Sequence, residues 1–204
     1  MQKTNLIKIS GYIEGYYGKL LSWDERKSLI TTLKDNKMNY YFYCPKEDLF
    51  HRKNWKNKYP KDWLENFKNF CHYANKQGIN IIAGISPGLD YSFKSQISNK
   101  DEDFNKLLKK IKKLIEFGAN NIAILFDDIP KNKYLQKKQL SEGAFHANLT
   151  NKINEHIDIN LFTVPRIYSD ELIHEDPHYL NDFFKVLSAK TYTFYCGKFT
   201  VSSN

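Results

Sequence analysis

The sharpest chemical feature of the sequence is a pair of adjacent carboxylates, Asp127 and Asp128, set directly after an entirely apolar run at 122–126. Two neighbouring acids in a half-buried setting cannot both ionise cheaply, so one pKa is expected to rise and give an acid near neutrality. The same pair also suits an ordinary turn, since Asp is common in loops and Pro130 marks the end of the run. The other apolar runs likewise stop at polar or special residues. These are Gly11-Tyr12-Ile13-Glu14-Gly15-Tyr16-Tyr17-Gly18, Cys44-Pro45-Lys46-Glu47-Asp48, Ser86-Pro87-Gly88-Leu89-Asp90, Val164-Pro165-Arg166-Ile167-Tyr168 and Tyr195-Cys196-Gly197-Lys198. Parallel α/β folds collect their reactive residues where strands end, so two carboxylates, Lys46 and Tyr168 would converge on one rim. Taken singly, Lys46 reads as a surface lysine and Tyr168 as a half-buried packing residue.

Other motifs point elsewhere or nowhere. Gly11, Gly15 and Gly18 follow GxxxGxxG rather than GxGxxG, and no Lys-Ser or Lys-Thr pair completes a phosphate loop. The histidines form neither HExxH nor a Cys/His cluster with metal spacing, so no metal is implied, and His146 reads as a structural helix residue. Basic and aromatic residues interleave from His51 through Arg52, Trp55 and Lys56 to Tyr59, a weak signal for a nucleic-acid or polysaccharide surface.

The elements that must position these residues follow from periodicity. Strands are expected at 6–12, 39–43, 79–84, 121–126, 159–164 and 191–195. Amphipathic helices are expected at 23–36, 61–77, 103–117, 141–155 and 177–188. In the third of these, Phe104, Leu107, Leu108, Ile111, Leu114 and Ile115 form one face; Lys106, Lys109, Lys110, Lys112 and Lys113 mostly lie opposite and read as a solvated face. Strands alternating with helices require parallel crossovers, met by a (β/α) barrel or an open doubly wound sheet. A complete eight-stranded barrel takes about 250 residues, and 204 residues show six units.

Composition bounds the class. With 41% hydrophobic and 15% aromatic residues the chain can bury a sizeable core without staples, and no internal repeat or low-complexity block divides it. Three cysteines without a CxxC pair suit a reducing compartment, and with no apolar stretch of signal or membrane length a cytoplasmic protein is expected. The net charge of +8 favours an anionic partner but identifies none.

Four segments together resemble glycoside hydrolase family 84, the retaining β-N-acetylglucosaminidases that include protein O-GlcNAcases and bacterial hyaluronidase-like enzymes. They are Gly11 to Gly18; Tyr43-Cys44-Pro45-Lys46-Glu47-Asp48 leading to His51-Arg52; Ile85-Ser86-Pro87-Gly88-Leu89-Asp90; and Leu125-Phe126-Asp127-Asp128-Ile129. Beyond Lys131 the likeness is looser, with His146-Ala147, Pro165 to Tyr168 and Gly197 in keeping. The resemblance implies a TIM-type (β/α)8 barrel, here incomplete with about six units, and a single glycosidase catalytic domain over 1–204 that is short at its C-terminus. It implies hydrolysis of terminal N-acetylglucosamine with no cofactor, the substrate's own 2-acetamido oxygen attacking the anomeric carbon to give an oxazoline, an exception to the usual two-carboxylate scheme. By the same resemblance Asp127 orients the acetamido N–H and Asp128 is the general acid and then base. Tyr168 holds the acetamido oxygen, Lys46 and the Gly11 backbone bind sugar hydroxyls, and Val164 and Cys196 face the acetyl methyl.

The implied partner is a glycan or glycoconjugate carrying N-acetylglucosamine; from the sequence itself no membrane is expected, and nucleic acid is the less favoured partner. Two departures bear on pocket shape. The family's Trp-Thr-Gly is Tyr195-Cys196-Gly197 here, and its Cys-Pro-Thr-Glu-Tyr is Val164-Pro165-Arg166-Ile167-Tyr168. The family's Trp-Asp-Asn strand end, and later sugar-binding Asp and Asn residues, would lie beyond Asn204. Two other readings stand beside the glycosidase: a shortened, impaired barrel that binds sugar weakly or not at all, and a basic nucleic-acid-binding module.

Overall fold

A computed structural model describes residues 8–94 and 101–201. Among these the strands are β1 (Gly11–Glu14), β2 (Tyr40–Tyr43), β3 (Asn80–Ile85), β4 (Asn121–Leu125), β5 (Leu161–Val164) and β6 (Tyr192–Thr193). They form one sheet in chain order, each strand parallel to the next. An open doubly wound sheet reverses its strand order at a switch point, whereas a barrel does not. The sheet also curls. Phe194, just after β6, stacks on Phe42 of β2 with ring centroids 5.1 Å apart, across the hollow that the intervening strands enclose. The architecture is therefore an incomplete (β/α)8 barrel, as the sequence led us to expect.

The curl gives the sheet two apolar faces, and the period of two sorts side chains between them. Tyr40, Phe42, Cys44, Ile82, Ala123, Leu125 and Phe162 point into the hollow with Val164, Tyr192 and Phe194. Tyr41, Tyr43, Ile81, Ala83, Ile85, Ile122, Ile124 and Phe126 point outward into the larger core beneath the helices. Those helices are α1 (Trp23–Asp35), α2 (Lys61–Lys76), α3 (Glu102–Glu116), α4 (Lys133–Lys137), α5 (Glu142–Asn154) and α6 (Tyr179–Val186), with a 3-10 turn at Asp170–Glu175. Local chemistry sets their ends. Ser22 and Glu25 cap α1 reciprocally, Asp101 accepts from the Phe104 amide at the start of α3, and Gly118 leaves α3 at a φ of 105°. None of the described helices is long and apolar enough to cross a membrane.

Three expectations need correction. The first strand was expected at 6–12, but pairing begins where the Ser10 carbonyl accepts from the Asn39 and Tyr40 amides, and the strand runs from Gly11. Leu6 and Ile7 lie outside the described residues. Gly11 thus opens the strand instead of leaving it. A Cβ there would stand 1.9 Å from the Tyr40 carbonyl oxygen, so close strand approach is what requires glycine. Second, Lys110 is not on the solvated face. It is buried, lies 4.1 Å from the centre of the Tyr59 ring, and donates to the carbonyls of Trp55 and Asn57 at 2.8 Å each. Third, the basic and aromatic stretch at 51–59 offers no free rings for base stacking, because Trp55 and Tyr59 are buried in the core and Lys56 pairs with Asp90 and Asp103.

Candidate active site

Strand alternation brings the sequence's candidates together. Beyond Phe42 and Cys44, the next inward position of β2 is Lys46; beyond Ala123 and Leu125, that of β4 is Asp127. Continued past Tyr192 and Phe194, the same count reaches Cys196. Val164 closes β5 in register with Leu125, one pair below the carboxylates, and its carbonyl accepts from the Phe126 amide at 2.9 Å. All these positions lie at the C-terminal end of the sheet, where barrel enzymes carry their reactive groups.

Lys46 is the hub. Its side chain is 2% exposed, so its charge must be paired, and it is paired twice. It donates to Asp127 Oδ2 and lies 3.2 Å from Asp128 Oδ2. Asp128 receives two further donors, the Tyr168 hydroxyl at 2.8 Å on Oδ1 and the Tyr17 hydroxyl at 3.2 Å on Oδ2. The chain at Asp128 has a φ of 55°, in the left-handed region, and its carbonyl accepts from Arg52 Nη2 at 2.7 Å. Cys196 joins Tyr168 through its amide, which donates to the Tyr168 carbonyl at 2.8 Å.

The two carboxylates are electrostatically unlike. Asp127 is the deeper, 13% exposed against 27% for Asp128. Burial pushes its pKa up, and Lys46 only partly offsets this. Burial also presses upward on Asp128, but Lys46 and the hydroxyls of Tyr168 and Tyr17 outweigh it, and the net direction is down. One acid of the pair is raised, and it is Asp127, chiefly through burial and to a smaller extent through its neighbour Asp128. Asp127 Oδ1 is buried and has no hydrogen-bond partner among the described residues. The thiol of Cys196 is pushed up by burial and by both carboxylates, in keeping with its place beside them. Tyr168 is raised by burial and by its bond to Asp128, so it stands as a neutral donor at pH 7.

Gly11 is not brought to this cluster. It lies at the opposite end of β1, lining a cavity of about 200 Å³ with Ile9, Tyr40, Phe42 and Phe194. Its place at the start of the strand, set by the Ser10–Asn39 pairing, is the reason. Glu14, at the end of β1, also stays out. It is buried on the helix side, where Arg26 holds it through Nε and Nη2 and the Tyr41 hydroxyl donates to it at 2.7 Å. His146 is structural, as read, stacked on Phe126 at 4.0 Å and bonded through Nδ1 to the Tyr179 hydroxyl. Sequence reasoning gave no role to Tyr17 or Arg52. Tyr17 carried a signal, its place in the segment that leaves β1 at the rim. Arg52 stood in a stretch whose basic character drew attention to charge instead of to its hydrogen bonds.

Comparison with known proteins accords with this geometry. A family model described as beta-N-acetylglucosaminidase matches residues 10–204. Protein O-GlcNAcase of Rattus norvegicus is 31% identical over 151 residues, which is 73% of this chain and 16% of that protein. The structure of CpGH84B superposes with a TM-score of 0.84 at 29% identity, covering 97% of this chain and 34% of the other. A mutant of Thermobaculum terrenum O-GlcNAc hydrolase gives 0.82 at 28% identity, covering 93% and 41%. The chain thus spans about a sixth of the length of the curated relative and about a third and two fifths of the two solved chains. The match along almost the whole of its own length shows that the chain belongs to the β-N-acetylglucosaminidase family of glycoside hydrolases.

Proposed function

We propose that this chain carries the catalytic rim of a retaining exo-β-N-acetylglucosaminidase that removes terminal N-acetylglucosamine by substrate-assisted catalysis. The observation that carries this reading is the buried Asp127 Oδ1, without a hydrogen-bond partner among the described residues, beside a second carboxylate that already has three donors. A buried acceptor without a donor is costly, and an incoming acetamido N–H would satisfy it. Lys46 fixes the other oxygen of Asp127, so Oδ1 is presented in one orientation.

In the first step the acetamido oxygen attacks the anomeric carbon while Asp127 accepts the N–H and Tyr168 donates to that oxygen to orient it. The glycosidic bond breaks, its electron pair passes to the leaving oxygen, and Asp128 supplies the proton there. In the second step Asp128, now a carboxylate, takes a proton from water as the water oxygen bonds to the anomeric carbon, and the oxazolinium ring, whose N–H has stayed on nitrogen hydrogen-bonded to Asp127, reopens to the acetamide. Two inversions leave overall retention, and a positioned internal nucleophile removes the need for a third carboxylate. Lys46 is free to meet a sugar hydroxyl once Asp128 is protonated, and Val164 and Cys196 form the wall for the acetyl methyl.

Asp128 must carry a proton when the leaving oxygen departs, yet Lys46, Tyr168 and Tyr17 favour its charged form. A bound sugar would exclude water and engage Tyr168 and Lys46, which raises the Asp128 pKa. The natural substrate would be a glycan or glycoconjugate with a terminal N-acetylglucosamine. Release of 4-nitrophenol from its β-N-acetylglucosaminide tests the assignment: the chain should turn it over and Asp127→Asn, which impairs attack whatever departs, should not keep pace. Equal rates for the two proteins would refute it. The competing reading, an impaired barrel, draws on the outer edges of β1 and β6, which pair with no other strand among the described residues, and on the 51% exposure of Ile13; weak sugar binding without turnover would favour it.

A further inference from the structure

We propose that Arg52 is a positioning residue for Asp128, acting through the main chain rather than through the carboxylate. Arg52 Nη2 donates to the Asp128 carbonyl at 2.7 Å, and Asp128 is one of few described residues other than glycine with positive φ. Aspartate enters that left-handed region more readily than most residues with a Cβ, and here the bond from Arg52 holds its carbonyl there. This conformation turns the Asp128 side chain back across the rim, where Lys46, Tyr168 and Tyr17 meet it. The guanidinium also stands 5.8 Å from the centre of the Tyr17 ring, so one side chain supports both the Asp128 backbone and one of its hydroxyl donors.

Arg52 can do this because its own base is fixed. Asp48 accepts from the amides of Phe50, His51 and Arg52, from the Tyr43 hydroxyl and from Trp63 Nε1, and Lys110 clamps the carbonyls of Trp55 and Asn57 further along the same loop. The side chain reaches the rim from a braced segment and is itself buried. The contact runs through Nη2 alone, Nε being buried with no partner among the described residues, so the guanidinium is held at the carbonyl by this bond and by the face of Tyr17.

The catalytic part of this inference rests on the glycosidase reading, so the test has one arm that does not. In the first arm, the Asp128 carboxyl is titrated by carbon-13 NMR in the wild type, Arg52→Met, Arg52→Lys and Tyr17→Phe. The groups facing it are Lys46, Asp127, Tyr168, Tyr17 and Cys196. If Arg52 sets its place, Arg52→Met releases it from its donors and its titration moves up towards the ordinary value of about 3.9, with Arg52→Lys in between. An unchanged titration in folded Arg52→Met or Arg52→Lys overturns the proposal.

In the second arm, kcat is compared across aryl N-acetylglucosaminides of rising leaving-group pKa. Arg52→Met should lose about a hundredfold with poor leaving groups and far less with good ones, because only the former need a placed acid. A uniform loss across the series would mean a structural role and also overturns the proposal. A wild type that titrates as expected but turns nothing over refutes the proposed function and leaves the positioning role standing.

Discussion

At the scale of residues, the site separates two adjacent carboxylates by what surrounds them. Asp127 faces an unfilled hydrogen-bonding need and Asp128 a surplus of donors. Their substitutions should therefore differ in kind. Asp128→Asn is expected to lower kcat by about 10²–10⁴-fold on a poor leaving group and much less on a good one, as for loss of a general acid. Asp127→Asn should slow both substrates alike, since attack by the acetamide is impaired whatever departs. Comparing aryl and alkyl glycosides separates the two.

The pH profiles carry a second expectation. kcat/KM reports the free protein, where Asp128 is held below its ordinary value, and kcat reports the complex, where by the proposed function sugar would take its donors. The alkaline limb of kcat should lie at higher pH than that of kcat/KM; coincident limbs would mean that bound sugar leaves Asp128 unperturbed. Asp127, Asp128, Lys46 and Tyr168 drew attention in the sequence because each stands just after an apolar run, where a parallel sheet ends, whereas Val164 and Cys196 entered only through the family resemblance. Arg52 was not legible, because nothing in a loop's composition reveals which carbonyl an arginine reaches.

At the scale of elements, periodicity located the six strands and the longer helices but not what tertiary contact decides. The start of β1 depends on the pairing of Ser10 with Asn39, twenty-nine positions away. Helix α3 buries Lys110 because the loop before α2 supplies two carbonyls to it, and a helical pattern in isolation places that lysine with its exposed neighbours. Gly11→Ala should destabilise the fold by about 3 kcal/mol, through the clash with the Tyr40 carbonyl; urea unfolding measures it, and a neutral effect would place the start of β1 elsewhere.

Burial pulls the Lys110 ammonium down to about 7, whereas in the unfolded chain it holds its proton to about 10.4. Between those values the unfolded state binds more protons, so stability should rise with pH, by up to about 1.4 kcal/mol per unit. Below about 7 both states are protonated and the dependence vanishes. Lys110→Met should abolish the rise in denaturation midpoint between pH 7 and 10, and a parallel rise in the variant would assign it to another group.

At the scale of the whole molecule, six parallel strands in chain order curl far enough to set β6 against β2 across the hollow, which gathers the ends of β2, β4 and β5 into one rim. The curl itself was not written in any one segment. It follows from twist accumulated over the sheet and from Phe42 and Phe194 finding one another 152 residues apart in sequence. The central claim is that this rim makes the substrate's acetamide do the nucleophile's work. The most direct measurement is the rate of hydrolysis of aryl glucosaminides whose N-acetyl group carries none, one, two or three fluorines. A steady fall in rate with each fluorine is predicted, because fluorine withdraws electrons from the attacking oxygen; rates indifferent to fluorine would contradict it, as would turnover that survives undiminished in Asp127→Asn.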